Sequence, residues 1–205
     1  MLPACVRAFL EWKGDDLGFA RETGRDDPWH DVHVYLMAAS GAAFRMHWSG
    51  DKWDPGAGGV LDWAPLPLEP FTRVLSAAGY GCEVLLRQER AAALGLQQDR
   101  DYTEADFRAR IIESIRDKGR PVIALGVVGP PEPCLITGYD ECGDVLIGWS
   151  HFQSEAECSA DLEFEPAARD GDPGCFRKRE WFPATHGLVL IGEPIPRPSE
   201  RELLR

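Results

Sequence analysis

The sequence predicts an α+β fold in which N-terminal helices pack on a mainly antiparallel β-sheet. Helical patterns fill the first part of the chain, and a later helix is followed by short apolar segments joined through tight turns. Helices and strands therefore do not alternate as they do around a parallel sheet. With 205 residues, 44% of them hydrophobic, the chain is long enough to bury a substantial core.

Three helices are predicted before the strands. Pro3 precedes an amphipathic segment over 5–13, which Gly14 is expected to end. A second helix is predicted over 31–44 and a third over 70–78. The polar, alanine-rich stretch 87–101 is compatible with either a helix or a loop.

The clearest helix start in the chain is Thr103. Asp106 follows three residues later, which is the spacing of a capping box. Phe107, Ile111 and Ile115 then recur every four residues, and this spacing places them on one buried face.

Five strands are predicted from short apolar runs between turn residues. They lie over 82–87, 122–128, 134–139, 145–149 and 187–192. The five residues between the third and fourth strands, 140–144, predict an antiparallel hairpin.

The net charge of the chain argues against anionic macromolecules as partners. The net charge is −12, and the segment 155–172, predicted to be an exposed loop, contributes half of it. Nucleic acids and anionic membranes are recognised through clustered cations, so neither is expected as a partner. The sequence lacks a signal peptide pattern and an apolar run of membrane-spanning length.

Six cysteines are present without a C-x-x-C pair, so zinc-ribbon and thioredoxin motifs are absent. A chain of this length does not need a disulfide framework, and a reducing cytoplasm is the expected location. No cofactor is expected. His30 and His33 have a spacing that permits metal binding, but the sequence indicates no third ligand, so no metal is expected either.

Residues 119–149 carry a recognisable pattern. A Gly-Arg-Pro-Val entry leads into one strand, the next strand ends in Gly138-Tyr139-Asp140, and Gly-Asp-Val opens the strand after it. This pattern resembles the second half of papain-like cysteine peptidases, especially bacteriocin-leader-processing peptidases. It is also similar to the N-terminal domain of butirosin-biosynthesis protein H, an acyltransferase-type relative. The resemblance covers about 1–192.

The resemblance implies a catalytic triad that this chain only partly fills. Its nucleophilic cysteine opens an N-terminal helix, as Cys5 does here, where the helix dipole favours a thiolate. Its histidine stands six positions before the glycine of Gly-Tyr-Asp, a position held here by Glu132. Its acid falls near Gly148 and Trp149, where this chain has none. A carboxylate beside the thiol would disfavour the thiolate.

Further residues are candidates for the same cleft. Cys134 is a possible second thiol there or a core residue, Trp149 ends the next strand, and His151 follows that strand by two residues. His151 and His186 are candidate substitutes for the missing base, and a structural role is the alternative for each.

A separate aromatic loop runs from residue 48 to residue 63. Trp53 and Asp54 within it combine an aromatic face with a carboxylate, which suits a cationic or sugar-like ligand. The alternative is a loop anchored to the body of the protein by its tryptophans.

The first functional hypothesis is a papain-like domain over 1–192 with an incomplete triad, which binds a small molecule or peptide in the former active-site cleft. The alternatives are a thiol-dependent acyltransferase or amidase that uses Cys5, and a structural or interaction domain. Residues 193–205 are predicted to be a linker and the start of a helical C-terminal domain.

Overall fold

The computed structural model has the predicted α+β class. It describes residues 1–44, 48–49, 52–53, 59–62, 66–167 and 174–203. Within these residues the helices are α1 (Leu2–Lys13), α2 (Phe19–Thr23), α3 (Trp29–Ala39), α4 (Glu69–Ala78), α5 (Gln88–Ala93), α6 (Glu104–Ile112) and α7 (Glu200–Leu203). The strands within them are β1 (Trp48–Ser49), β2 (Lys52–Trp53), β3 (Tyr80–Leu86), β4 (Val122–Leu125), β5 (Pro133–Asp140), β6 (Val145–Trp149), β7 (Glu163–Phe164), β8 (Phe176–Lys178) and β9 (Gly187–Pro194).

The chain divides into two compact units. The first comprises Met1–Cys82 with Gly192–Arg205, and the second comprises Glu83–Ile191. No helix in the described ranges combines the length and the apolar character that crossing a bilayer requires.

In the first unit, α1, α3 and α4 pack against one another. Helix α1 begins at Leu2, three residues earlier than predicted. Pro3 fits inside its first turn because the N–H that proline lacks would have no partner within the helix there. The helix ends as predicted at Gly14, whose φ of +68° is a conformation that glycine adopts at little cost.

The second predicted helix is shorter than the sequence indicated. Helix α3 ends at Ala39, and Gly41, with φ of +80°, turns the chain into a short 3₁₀ segment over Ala42–Phe44. The third predicted helix is confirmed as α4, which begins at Glu69, with Pro70 in its first turn, and ends at Gly79.

Seven strands form one open antiparallel sheet, in the order β3-β9-β4-β5-β6-β8-β7. Strand β4 pairs with β5 on one side and with β9 on the other, so that Val122 lies opposite both Ile136 and Leu190. Strand β4 is shorter than predicted because Gly126, with φ of +87°, ends it. The predicted hairpin is confirmed as β5 and β6.

Helix α6 supplies the second unit's core with two of the three residues of its predicted face; the third, Ile115, lies beyond the end of α6 and is only partly buried. Thr103 and Asp106 form the capping box, with Thr103 N donating to Asp106 Oδ2 at 2.9 Å. Phe107 and Ile111 are fully buried. They pack with residues of β4, β5, β6 and β9 and with Trp181, which is 1% exposed.

The acidic segment is largely exposed in its described part, as predicted, but cations of β8 pair with two of its carboxylates. Lys178 Nζ lies 2.6 Å from Asp161, and Arg177 lies 2.5 Å from Glu165. Arg177 also pairs with Asp140 at 2.7 Å. Residues 168–173 of this segment are outside the described ranges.

Candidate functional site

Cys5 lies in the first turn of α1, where its backbone N donates to the carbonyl of Met1 at 3.1 Å. Its side chain is on the buried face of the helix with Leu2, Val6 and Phe9, and the residue is only 5% exposed. Cys5 therefore lies at the end of the first turn and does not open the helix as predicted, because the helix begins at Leu2. Its thiol is sheltered from solvent.

His33 is the other titratable group of interest in the first unit. Partial burial lowers its pKa, and the positive charges of Arg7, the N-terminal amine and His30 lower it further. Its Nδ1 atom is buried without a hydrogen-bond partner among the described residues. Within those residues, no group of three or more His, Cys, Asp and Glu side chains is placed to hold a metal ion.

The predicted aromatic ligand loop falls mainly outside the described residues. Trp53 lies in β2, where its backbone pairs with Trp48 of β1, and Asp54 is outside the described ranges. The ligand role of Trp53 and Asp54 stays a prediction.

Four predicted site residues lie at or beside the open end of the β5–β6 hairpin in the second unit. Glu132 directly precedes β5, and Cys134 is the second residue of that strand. Trp149 ends β6 opposite Leu135, and His151 follows two residues later. The hairpin thus gathers Glu132, Cys134, Trp149 and His151 in one part of the fold.

The pleat of the sheet separates two of these residues. Cys134 is 1% exposed among the core side chains, with its Sγ 3.5 Å from the carbonyl of Ala124. Trp149 pairs with Leu135, so it points to the opposite face of the sheet from Cys134, and it is 45% exposed. This geometry favours the core interpretation of Cys134.

Glu132 and His151 are both accessible. The carbonyl of Glu132 accepts a hydrogen bond from Gly126 N at 3.2 Å, and the residue is half-buried. His151 is exposed, with its ring edge-on to Phe152 at a centroid distance of 5.4 Å. Because Cys5 belongs to the first unit and Glu132 to the second, their shared active site stays a prediction.

A second group of polar residues in the same unit lines a shallow pocket of about 140 Å³. Its lining is Arg87, Glu89, Arg90, Ala93 and His186. The pocket lies where β3 ends and β9 begins. The backbone N of Arg87 donates to the carbonyl of His186 at 3.0 Å, and α5 contributes the remaining three residues.

The surroundings of His186 in this pocket shift its pKa. Partial burial lowers its pKa, and the nearby positive charges of Arg90 and Arg87 lower it further, while Glu89 opposes them. The imidazole is therefore held toward its neutral form by its surroundings.

Sequence reasoning identified His186 only as a candidate base and did not connect it with Arg87 and Arg90. Arg87, Arg90 and Ala93 follow one another at intervals of three, which places them on one side of a helix. That spacing was the available signal, but the segment was equally compatible with a loop.

Comparison with protein-family models, with curated proteins and with solved structures finds no match to this chain.

Proposed function

We propose that this chain is a noncatalytic domain with a papain-like arrangement, which binds a small molecule or a peptide. The observation that carries the proposal is Glu132, which occupies the position where the resemblance requires a histidine. A carboxylate cannot replace imidazole as the base that takes a thiol proton near neutral pH and later returns it. We also propose a cytoplasmic location for this domain, as the cysteine content leads us to expect.

Two structural features support a noncatalytic role. The Cys5 thiol, at 5% exposed, offers little surface to a substrate. Cys134, the other thiol that the resemblance brings near the site, packs in the core of the second unit. A nucleophilic cysteine requires an accessible, electropositive environment.

A working thiol acyltransferase or amidase is the second candidate. It is favoured by the place of Cys5 in the first turn of α1, where the positive end of the helix stabilises a thiolate. A noncatalytic domain predicts an unreactive Cys5 thiol, whereas a thiol enzyme predicts a reactive one.

The test is alkylation of the intact chain with iodoacetamide at neutral pH, followed residue by residue by mass spectrometry. Cys142 is exposed and serves as the internal control. A noncatalytic domain is expected to show modification of Cys142 well before Cys5. Cys5→Ser is expected to leave the thermal shift produced by any bound metabolite or peptide unchanged.

Selective modification of Cys5 ahead of Cys142 would overturn the noncatalytic proposal and support the thiol enzyme. The same conclusion would follow if Cys5→Ser abolished hydrolysis or acyl transfer measured with thioester and peptide substrates.

A further inference from the structure

We propose that residues 155–162 form a strap over the core of the second unit, latched shut by the ion pair of Asp161 with Lys178. The strap opens while both of its ends stay attached, and opening exposes the thiol of Cys158. This device lies wholly within the second unit. It uses neither Cys5 nor Glu132, so it is independent of the noncatalytic, papain-like proposal.

Both ends of the strap are fixed by hydrogen bonds. Just before it, Gln153 is 2% exposed, and its Nε2 donates to the carbonyl of Gly174 at 2.9 Å. Just after it, β7 pairs with β8, and the backbone N of Glu165 donates to the carbonyl of Cys175 at 2.8 Å. A local opening is therefore confined to the residues between these two attachments.

The backbone hydrogen bonds inside the strap are local. Cys158 N and Ser159 N donate to the carbonyl of Glu155 at 2.9 Å and 3.0 Å, and Leu162 N donates to the carbonyl of Ser159 at 3.1 Å. Among the described residues, no backbone hydrogen bond joins 156–162 to a strand of the sheet. A segment with so few ties to the core opens at a lower free energy than the core itself.

Two hydrophobic side chains of the strap, Cys158 and Leu162, are partly buried against the core of the second unit. Cys158 also lies close to the loop that follows β4, since a Cβ added at Gly129 would be 3.3 Å from its Sγ. The closed strap therefore shelters the thiol, and this small apolar contact leaves much of the hold to the ion pair.

The ion pair that closes the strap joins groups of very different exposure. Lys178 Nζ lies 2.6 Å from Asp161 Oδ2, and the lysine side chain is 9% exposed while the aspartate is 65% exposed. Within the described chain, Lys178 pairs with no other carboxylate. A buried ammonium group loses its hydration and needs a charged partner. The closed strap supplies that partner.

The other charges of the strap do not hold it. The strap carries the carboxylates of Glu155, Glu157 and Asp161 and contains neither Lys nor Arg. Neither Glu155 nor Glu157 makes an ion pair with a described residue. Like charges repel one another, so the acidity of the strap favours opening, and the pair with Lys178 opposes it.

The experiment is alkylation of the full chain with iodoacetamide under native conditions, with the rate at each thiol followed by mass spectrometry. Cys142 is exposed and gives the rate of an open thiol, whereas Cys134, at 1% exposed, reports unfolding of the whole unit. The proposal predicts that Cys158 reacts more slowly than Cys142 and faster than Cys134. A Cys158 rate equal to that of Cys142 would show an unsheltered thiol, and a rate equal to that of Cys134 would show no local opening. Either result overturns the proposal.

Asp161→Asn tests the latch, because it keeps the size of the side chain and removes its charge. We expect the Cys158 rate to rise about tenfold, the effect of losing a charge-assisted hydrogen bond, while the Cys134 rate is unchanged. Glu157→Gln is the matched control, which removes a carboxylate from the same strap and should leave the Cys158 rate unchanged. An unchanged Cys158 rate in Asp161→Asn, an equal rise in both variants, or an equal rise at Cys134 would each overturn the proposal.

A second substitution separates the ion pair from any other role of Asp161. Adding Lys178→Met to Asp161→Asn removes the unpaired buried ammonium and replaces it with an apolar side chain. We expect the Cys158 rate to return toward the wild-type value. If the double variant reacted as fast as Asp161→Asn alone, the Lys178 pair would not be the latch.

Discussion

The β5–β6 hairpin and the junction of β3 with β9 both bring polar residues together, but they use them differently. At the hairpin, Cys134 and Trp149 are neighbours in the fold yet point to opposite faces of the sheet. At the junction, Arg87 and His186 are far apart in sequence yet line one pocket. Side chains alternate between the two faces of a sheet, so residues that are close together in the sheet can point in opposite directions. Strand pairing, by contrast, brings together residues that are far apart in the sequence.

The hairpin is also more strongly tied to the core. Trp181 is 1% exposed, and its Nε1 donates to the carbonyl of Gly143 in the hairpin turn at 3.0 Å. The pocket residues Arg87 and His186 are instead only partly buried. Mutations of the buried residues that hold the hairpin should therefore reduce stability more than mutations of these pocket residues.

The largest effect is expected from Trp181→Ala. It removes a large buried side chain from the core and leaves the Gly143 carbonyl without this donor. We expect a loss of about 3–5 kcal/mol in the free energy of unfolding, measured by urea denaturation.

Trp149→Ala is the matched control, because the same side chain is 45% exposed at the end of β6. It should cost about 1 kcal/mol or less, since little packing is lost. Equal losses for the two variants would contradict the assignment of Trp181 to the core and of Trp149 to the surface.

Gly126→Ala should reduce the free energy of unfolding by an intermediate amount. It should also change the surroundings of His186, because Gly126 packs against that side chain. A Cβ at this position would lie 2.7 Å from the carbonyl oxygen of Ala184 and 2.7 Å from Cδ2 of His186. The backbone φ of +87° adds strain for any residue with a side chain. We expect a loss of about 2–4 kcal/mol together with a shift of the His186 NMR signal.

Gly95→Ala is a control that separates the steric overlap of the added Cβ from the cost of the left-handed backbone. Its φ is +67°, but nothing lies within 4 Å of the added Cβ, so only the cost of the left-handed backbone remains, about 1–2 kcal/mol. If Gly126→Ala cost no more than Gly95→Ala, the close packing of Gly126 against His186 would be wrong.

Features fixed by local chemistry could be predicted from the sequence. The capping box at Thr103, the helix ends at Gly14 and Gly79 and the turn after Asp140 depend on residues a few positions apart. The antiparallel run of strands followed from apolar segments separated by turn residues.

Features that depend on tertiary pairing could not be predicted. Strand β8 is only three residues long, and two of them are the consecutive cations Arg177 and Lys178, so no apolar strand pattern is visible, although Phe176 packs in the core. The pocket depends on the pairing of β3 with β9, which no local pattern in the sequence encodes. The candidate residues at the hairpin were predicted from the resemblance carried by residues 119–149. The pocket was missed because Arg87 follows β3 and His186 precedes β9, two strands that are far apart in the sequence.

The smallest expected effect is on the pH dependence of stability. Because its surroundings lower the pKa of His186 in the folded state, the unfolded chain binds a proton there more readily. This contribution to stability is complete above the unfolded pKa and is lost as the pH falls from there toward the lower folded pKa. His186→Gln should therefore lose less stability than the wild type between pH 7.5 and about 5, the range around an ordinary histidine pKa of about 6.5. Arg90→Gln, which removes one of the charges responsible, should give an intermediate curve. Coincident curves for the three proteins in urea denaturation would show that Arg90 and His186 do not interact, and would contradict the electrostatic effect of Arg90 on His186 at this pocket.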